Sequence, residues 1–125
     1  MSANIVASSG WLEYLADTDR AHLFAAALED SDNLVVPVVI LYEVFKKVLR
    51  ERGEDAALQV AGLMQSGRVV SVESSLALEA AHLTLPLADS LIYATAQRHQ
   101  GTLWTQDEHF KGFQGVRYFA KKPTA

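Results

Sequence analysis

Cysteine is absent from the 125 residues, which excludes a disulfide framework, a thiolate metal site and a thiol nucleophile, and fits a reducing cytosol. Long hydrophobic runs are missing too. No apolar segment approaches the roughly 20 residues of a membrane span, and no basic stretch followed by an apolar run marks a secretory signal, so a soluble cytoplasmic protein is expected. Positive charge is the scarcer sign. Against 15 aspartates and glutamates stand 11 lysines and arginines, a formal charge of −4. That balance argues against coating nucleic acid indiscriminately and leaves specific binding through local basic groups open. Nor is there a GxxxxGK[ST] phosphate loop, a GxGxxG fingerprint or a Gly-x-Ser-x-Gly elbow. His22, His82, His99 and His109 show no HExxH spacing and read as surface or cap residues. Nucleotide-driven, hydride and serine-hydrolase chemistry are set aside.

What the chain does contain is apolar material, half of all residues, enough for one core and a single domain over 1–125. Repeats, linkers and low-complexity segments are lacking. Short β-branched runs alternate with segments of helical period. Strands are expected at Asn4 to Ala7, Leu34 to Val36, Arg68 to Val72 and Thr102 to Thr105, with Val116 to Phe119 as a possible edge strand. Helices are expected from about Ser9 to Ala16, Asp19 to Leu28, Pro37 to Gly53, Glu54 to Ser66, Ser74 to Thr84 and Leu87 to Gln100. In the third of these, Leu41, Phe45, Val48 and Leu49 are expected to form the core face. Brief apolar strands separated by helices are the signature of a parallel sheet covered on both faces. A frayed tail is expected at Lys121-Lys122-Pro123-Thr124-Ala125.

In such a sheet the carboxyl ends of the strands form the ligand-binding edge, and three acids fall near it. Asp107 lies two residues beyond a strand in "TLWTQDEHF", where it reads either as a cap or Asx turn or as a group on the rim of the crevice. Asp89 lies in "LPLADSLIYATAQ", in the first turn of a helix apolar almost all round. The helix dipole favours a carboxylate there, but its charge is costly to bury uncompensated. Glu43 precedes Lys47 by four residues, the favoured order for a solvated pair, so a surface salt bridge competes with a site role. Converging carboxylates repel, and a hard divalent cation with oxygen ligands is their natural companion. Such an ion activates water for phosphoryl displacement. Against these acids, Ala7 at the end of the first strand offers only a methyl group.

The segments "IVASSGWLEYL", "VVPVVILYEVFKKVLRERG" and "LPLADSLIYATAQRHQGTLWTQDEHF" together resemble PIN-domain ribonucleases, in particular VapC-type toxins of bacterial toxin-antitoxin pairs. The resemblance implies a three-layer α/β/α fold with a mainly parallel sheet of four or five short strands. It also implies that Glu43, Asp89 and Asp107 are three of four acids that bind Mg²⁺ or Mn²⁺ and hydrolyse RNA, with Ser9 and Thr105 as accompanying hydroxyl residues. Family members place an aspartate where this chain has Ala7, and that position supplies a metal ligand. Losing it should cost more than the roughly 10 to 100-fold of an outer-shell change, so strong impairment or inactivity is expected. The residue reads either as a deliberate replacement or as the mark of a natural non-catalytic module that binds a basic antitoxin or nucleic acid. Lys46, Lys47, Arg50 and Arg52 are candidate contacts for the RNA backbone. The resemblance further implies a homodimer and an antitoxin that places a basic residue among the carboxylates.

Overall fold

Each strand is only three or four residues long. The computed structural model describes residues 2–121, so all of the expected frayed tail except Lys121 lies outside the described residues. In chain order the elements are β1 (Asn4–Val6), α1 (Ser8–Leu15), α2 (His22–Glu29), β2 (Val35–Pro37), α3 (Val38–Arg52), α4 (Glu54–Met64), β3 (Arg68–Val70), α5 (Ser74–Ala80), α6 (Leu87–Arg98), β4 (Thr102–Thr105) and β5 (Val116–Tyr118), with single 3-10 turns at Ser31–Asn33 and Glu108–Phe110.

All the strand pairs are parallel. One sheet has the order β1-β4-β5, the other pairs β2 with β3, and a parallel bridge from Asn4 to Leu34 joins them. The continuous order is therefore 3-2-1-4-5, with β5 at an edge as expected. Ile5, Val36 and Leu103 of the inner strands are fully buried, between Phe24 of α2, Ile40 and Val44 of α3, and Phe110 beyond β4. A satellite cluster of Leu76, Ala80 and Ala94 joins α5 to α6.

Two local expectations need correction. The buried stripe of α3 is Ile40, Val44 and Val48, with Leu41 and Phe45 half-buried. Leu49 is 42% exposed, because the four-residue step that starts at Ile40 leaves position 49 on the flank. Helix α2 begins at His22 rather than Asp19. Asp17 takes a left-handed φ of 51°, and the Thr18 hydroxyl donates to Glu13 Oε1 at 2.8 Å and accepts from the Arg20 N–H at 3.2 Å, closing a turn instead.

Helix α1 lies unusually close to the sheet. A Cβ at Gly10 would sit 2.7 Å from Val6 Cγ1 and 2.8 Å from Phe24 Cδ1, distances that force one of the buried neighbours to move. Gly10→Ala is therefore expected to destabilise the fold by about 1–3 kcal/mol through overpacking, less the helix-propensity gain of about 1 kcal/mol. Urea unfolding should show a lower midpoint with an unchanged m-value. A midpoint at or above that of the parent would contradict the close approach.

Candidate active site

From β1 the chain moves outward through β2 to β3, and then returns past β1 to form β4 on its other flank. The order therefore reverses between β1 and β4, and a crevice opens beyond their carboxyl ends. A cleft of about 700 Å³ occupies this place, lined by Ala7 just after β1, by residues of α1, α3 and α6, by the turn after β4, and by the end of β5 and the segment that follows it. Ala7, Glu43, Asp89 and Asp107 all border it.

Each acid arrives on a different support. Asp89 stands in the first turn of α6, whose body is buried, and its side chain is only 16% exposed. Burial raises its pKa above the ordinary carboxylate value; a hydrogen bond from His109 opposes this, and the Asp107 charge adds to it. Asp107 follows β4. Its N–H donates to Thr105 Oγ1 at 3.0 Å and its carboxylate accepts from the His109 N–H at 2.9 Å. The cap and the crevice rim, alternatives in sequence, are thus one and the same role. Thr105 is fully buried and acts through the backbone of Asp107. Glu43 accepts a hydrogen bond from Ser8 Oγ at 2.5 Å. The competing Glu43–Lys47 pair is not formed: Lys47 bonds Glu51 at 3.0 Å, which leaves Glu43 facing the cleft. Ser9 lines the cleft, but the hydroxyl that holds an acid is that of its neighbour Ser8.

His109, read from sequence as a surface residue, enters the cluster. Its Nδ1 lies 2.8 Å from Asp89 Oδ2 and 3.2 Å from Asp107 Oδ1, and ligand atoms of the three side chains lie within 4.8 Å of one another. An ionised carboxylate only accepts, so Nδ1 carries the proton it shares with Asp89. The hydrogen bond to Asp89 and then the Asp107 charge raise the histidine pKa. The signal in sequence was its position two residues after an acid in a tight turn, which an HExxH search does not register. Among the candidate basic contacts, Lys47 borders the cleft. Lys46 lies over Tyr42, 5.5 Å from the ring centroid, and neither Lys46 nor Arg50 lines the cleft. Lys121, which sequence reasoning left in the tail, does line it.

Two carboxylates at hydrogen-bond distance from one imidazole, with a third carboxylate on the same cleft, offer the oxygen donors that a hard divalent cation prefers. The donor set fits such an ion, with one wall, at Ala7, supplying none. Fold and cleft define an α/β domain with an acidic crevice at its switch point. The family model of the PIN domain matches residues 5–115, and the chain belongs to that family. The three-layer α/β/α arrangement expected from the sequence is its fold. A search of the curated protein sequences finds no match.

Solved structures with this fold include a toxin-antitoxin complex from Klebsiella pneumoniae, with a TM-score of 0.79, 19% identity and coverage of 95% of this chain and 100% of that one. The sarcin-ricin loop cleaving toxin VapC20 of Mycobacterium tuberculosis is similar at a TM-score of 0.72 and 18% identity, covering 91% of this chain and 97% of that one. DNA-bound VapBC from Salmonella typhimurium is similar at a TM-score of 0.71 and 12% identity, covering 96% and 98%.

In the metal-free protein His109 should titrate above the ordinary 6.5 and fall back toward it in Asp89→Asn, as followed by its imidazole resonances in NMR. A raised histidine pKa stabilises the fold below the unfolded-state value, and that contribution is lost as pH rises through the folded-state value. The melting temperature should fall across that window in the parent and less in Asp89→Asn. A parent His109 that titrates at or below 6.5 would contradict the cluster.

Proposed function

We propose that this chain has the frame of a metal-dependent endoribonuclease, a VapC-type toxin of a toxin-antitoxin pair, with one metal ligand missing at Ala7. The observation that carries the reading is the meeting of Asp89, Asp107 and Glu43 on one cleft at the switch point of a PIN domain. Support for the toxin class comes from the structural neighbours, which include a toxin-antitoxin complex, a sarcin-ricin loop cleaving toxin and a DNA-bound VapBC.

Asp89 and Asp107 would hold Mg²⁺ or Mn²⁺, with Glu43, which lines the same cleft, completing the set. When bound, the ion lowers the pKa of a water and stabilises charge on the phosphodiester under attack. The chain's own residues prepare that site. Ser8 holds the Glu43 carboxylate in one orientation, Thr105 fixes the backbone of Asp107, and His109 holds a proton between two carboxylates that would otherwise repel. Lys47 brings positive charge to the rim for the RNA backbone. Ala7 borders the same space and contributes no donor, so activity of the chain as written is weak or absent. The reading includes a cytoplasmic homodimer bound to an antitoxin.

Ala7 favours one second reading, a non-catalytic module whose cleft receives a basic side chain. Carboxylates spaced to share an imidazole suit an arginine equally well, and such charge-assisted bonds are strong.

Ala7→Asp decides between them. On the nuclease reading it raises Mn²⁺ affinity in calorimetry and raises Mg²⁺-dependent cleavage of a sarcin-ricin loop hairpin by about 100-fold or more, with slowed growth on expression. A restored variant that binds an arginine-bearing antitoxin peptide yet cleaves neither this hairpin nor total RNA would sink the enzyme reading and favour the module.

A further inference from the structure

Arg20 lies in the turn between α1 and α2, with a side chain only 14% exposed. Its guanidinium joins three parts of the chain that are far apart in sequence. Nε donates to Gln106 Oε1, and an Nη donates to the carbonyls of Ala120 at 3.0 Å and Phe119 at 3.5 Å. Glu13 Oε2 lies 3.6 Å from Nε and supplies the balancing charge. Gln106 is 2% exposed and stands between Thr105 and Asp107, so one fork grips both the strand end that delivers an acid and the segment that follows β5. A planar guanidinium with several donors suits this task, and an ammonium does not reproduce it.

The segment so fastened is a wall of the cleft: Ala120 and Lys121 line it, next to Tyr118 at the end of β5. Lys121 is an exposed cation and forms no ion pair among the described residues. Lys47, the other cation on the rim, is engaged by Glu51 at 3.0 Å. A polyanion approaching three carboxylates meets repulsion, and the Lys121 ammonium, on the same cleft and without an ion pair among the described residues, is the group placed to offset it.

We propose that Arg20 is a positioning residue that fixes the segment after β5 as a wall of the cleft, so that Lys121 takes a backbone phosphate of bound RNA beside the acids. The proposal rests on the reading of this cleft as an RNA site. Its test is equilibrium binding of a fluorescein-labelled RNA hairpin by anisotropy, with Ca²⁺ in place of Mg²⁺ so that no turnover competes. Lys121→Gln, at an exposed position, should weaken binding about three- to fivefold and lower the slope of log affinity against log salt by about 0.7. Arg20→Lys keeps the charge and loses the fork, and it should give the same weakening and the same slope, with the double variant no weaker than either single one. A merely structural Arg20 would lower the melting temperature and leave the affinity and slope of the folded protein unchanged. Parent-like binding by Lys121→Gln, or additive losses in the double variant, overturns the proposal while leaving the RNA reading intact. Absence of RNA binding by the parent overturns both.

Discussion

Like charges brought together in a half-buried place repel, and the rest of this site follows from how that repulsion is relieved. Asp89 is largely screened from solvent at the head of a buried helix, and Asp107 faces the same space. Without a cation the imidazole of His109 takes the position between them, 2.8 and 3.2 Å from the two carboxylates. Burial, with the Asp107 charge, raises the pKa of Asp89 against the opposing hydrogen bond from His109, and the same two acids raise the pKa of His109, whose proton supplies positive charge between them. A hard dication supplies that charge more completely, and it offers a different partner to each oxygen.

The scaffold holds this arrangement by making each support rigid for independent reasons. Helix α6 is buried through Ile92, Tyr93, Ala94 and Ala96, and Tyr93 donates to the Gln114 carbonyl at 2.7 Å, so the helix that carries Asp89 is tied to the loop before β5. Thr105 and Arg20 fix the turn after β4 from opposite directions, one through the Asp107 N–H and the other through the Gln106 side chain. Glu43 gains its direction from a core stripe of three residues at four-residue spacing, together with a hydroxyl at the start of α1. No acid depends on another for its placement, which is how a fold can hold groups that repel.

Much of this was legible in the chain, and what was not shares a cause. The alternation of short apolar runs and helical segments sufficed to place five strands, six helices and the edge on which the acids meet. That Glu43, Asp89 and Asp107 share one cleft could be read beforehand because strand ends and helix starts follow from hydrophobic period, and the edge from parallel topology. His109, Ser8, Arg20 and Lys121 were missed because their roles rest on contacts between residues far apart in sequence: Ser8 with Glu43, 35 residues away, and Arg20 with Ala120, 100 residues away. Hydrophobic period carries no information about which polar side chain crosses from one element to another. The Leu49 error has the same root at shorter range, since a stripe of three apolar residues and a flank position look alike until the partner surface is known.

Position 7 separates what the fold needs from what the chemistry needs. Its backbone is extended, with φ −65° and ψ 161°. Its N–H donates to the Trp104 carbonyl at 2.9 Å, and its own carbonyl accepts from Gly10 and Trp11 at 3.0 and 3.2 Å. None of these bonds uses the side chain. The strand end, the start of α1 and the wall of the cleft are therefore secured by the main chain, and a methyl group leaves them in place. An acid there would add an N-cap, worth about 1 kcal/mol to α1, and would also add like charge to a site that already requires a proton to neutralise it. The first effect favours the folded chain at all times, the second opposes it unless a cation is bound. With alanine the cleft keeps its shape and lacks one oxygen donor on the wall that Ala7 forms, and the carboxylates that remain suit any positive group of the right size.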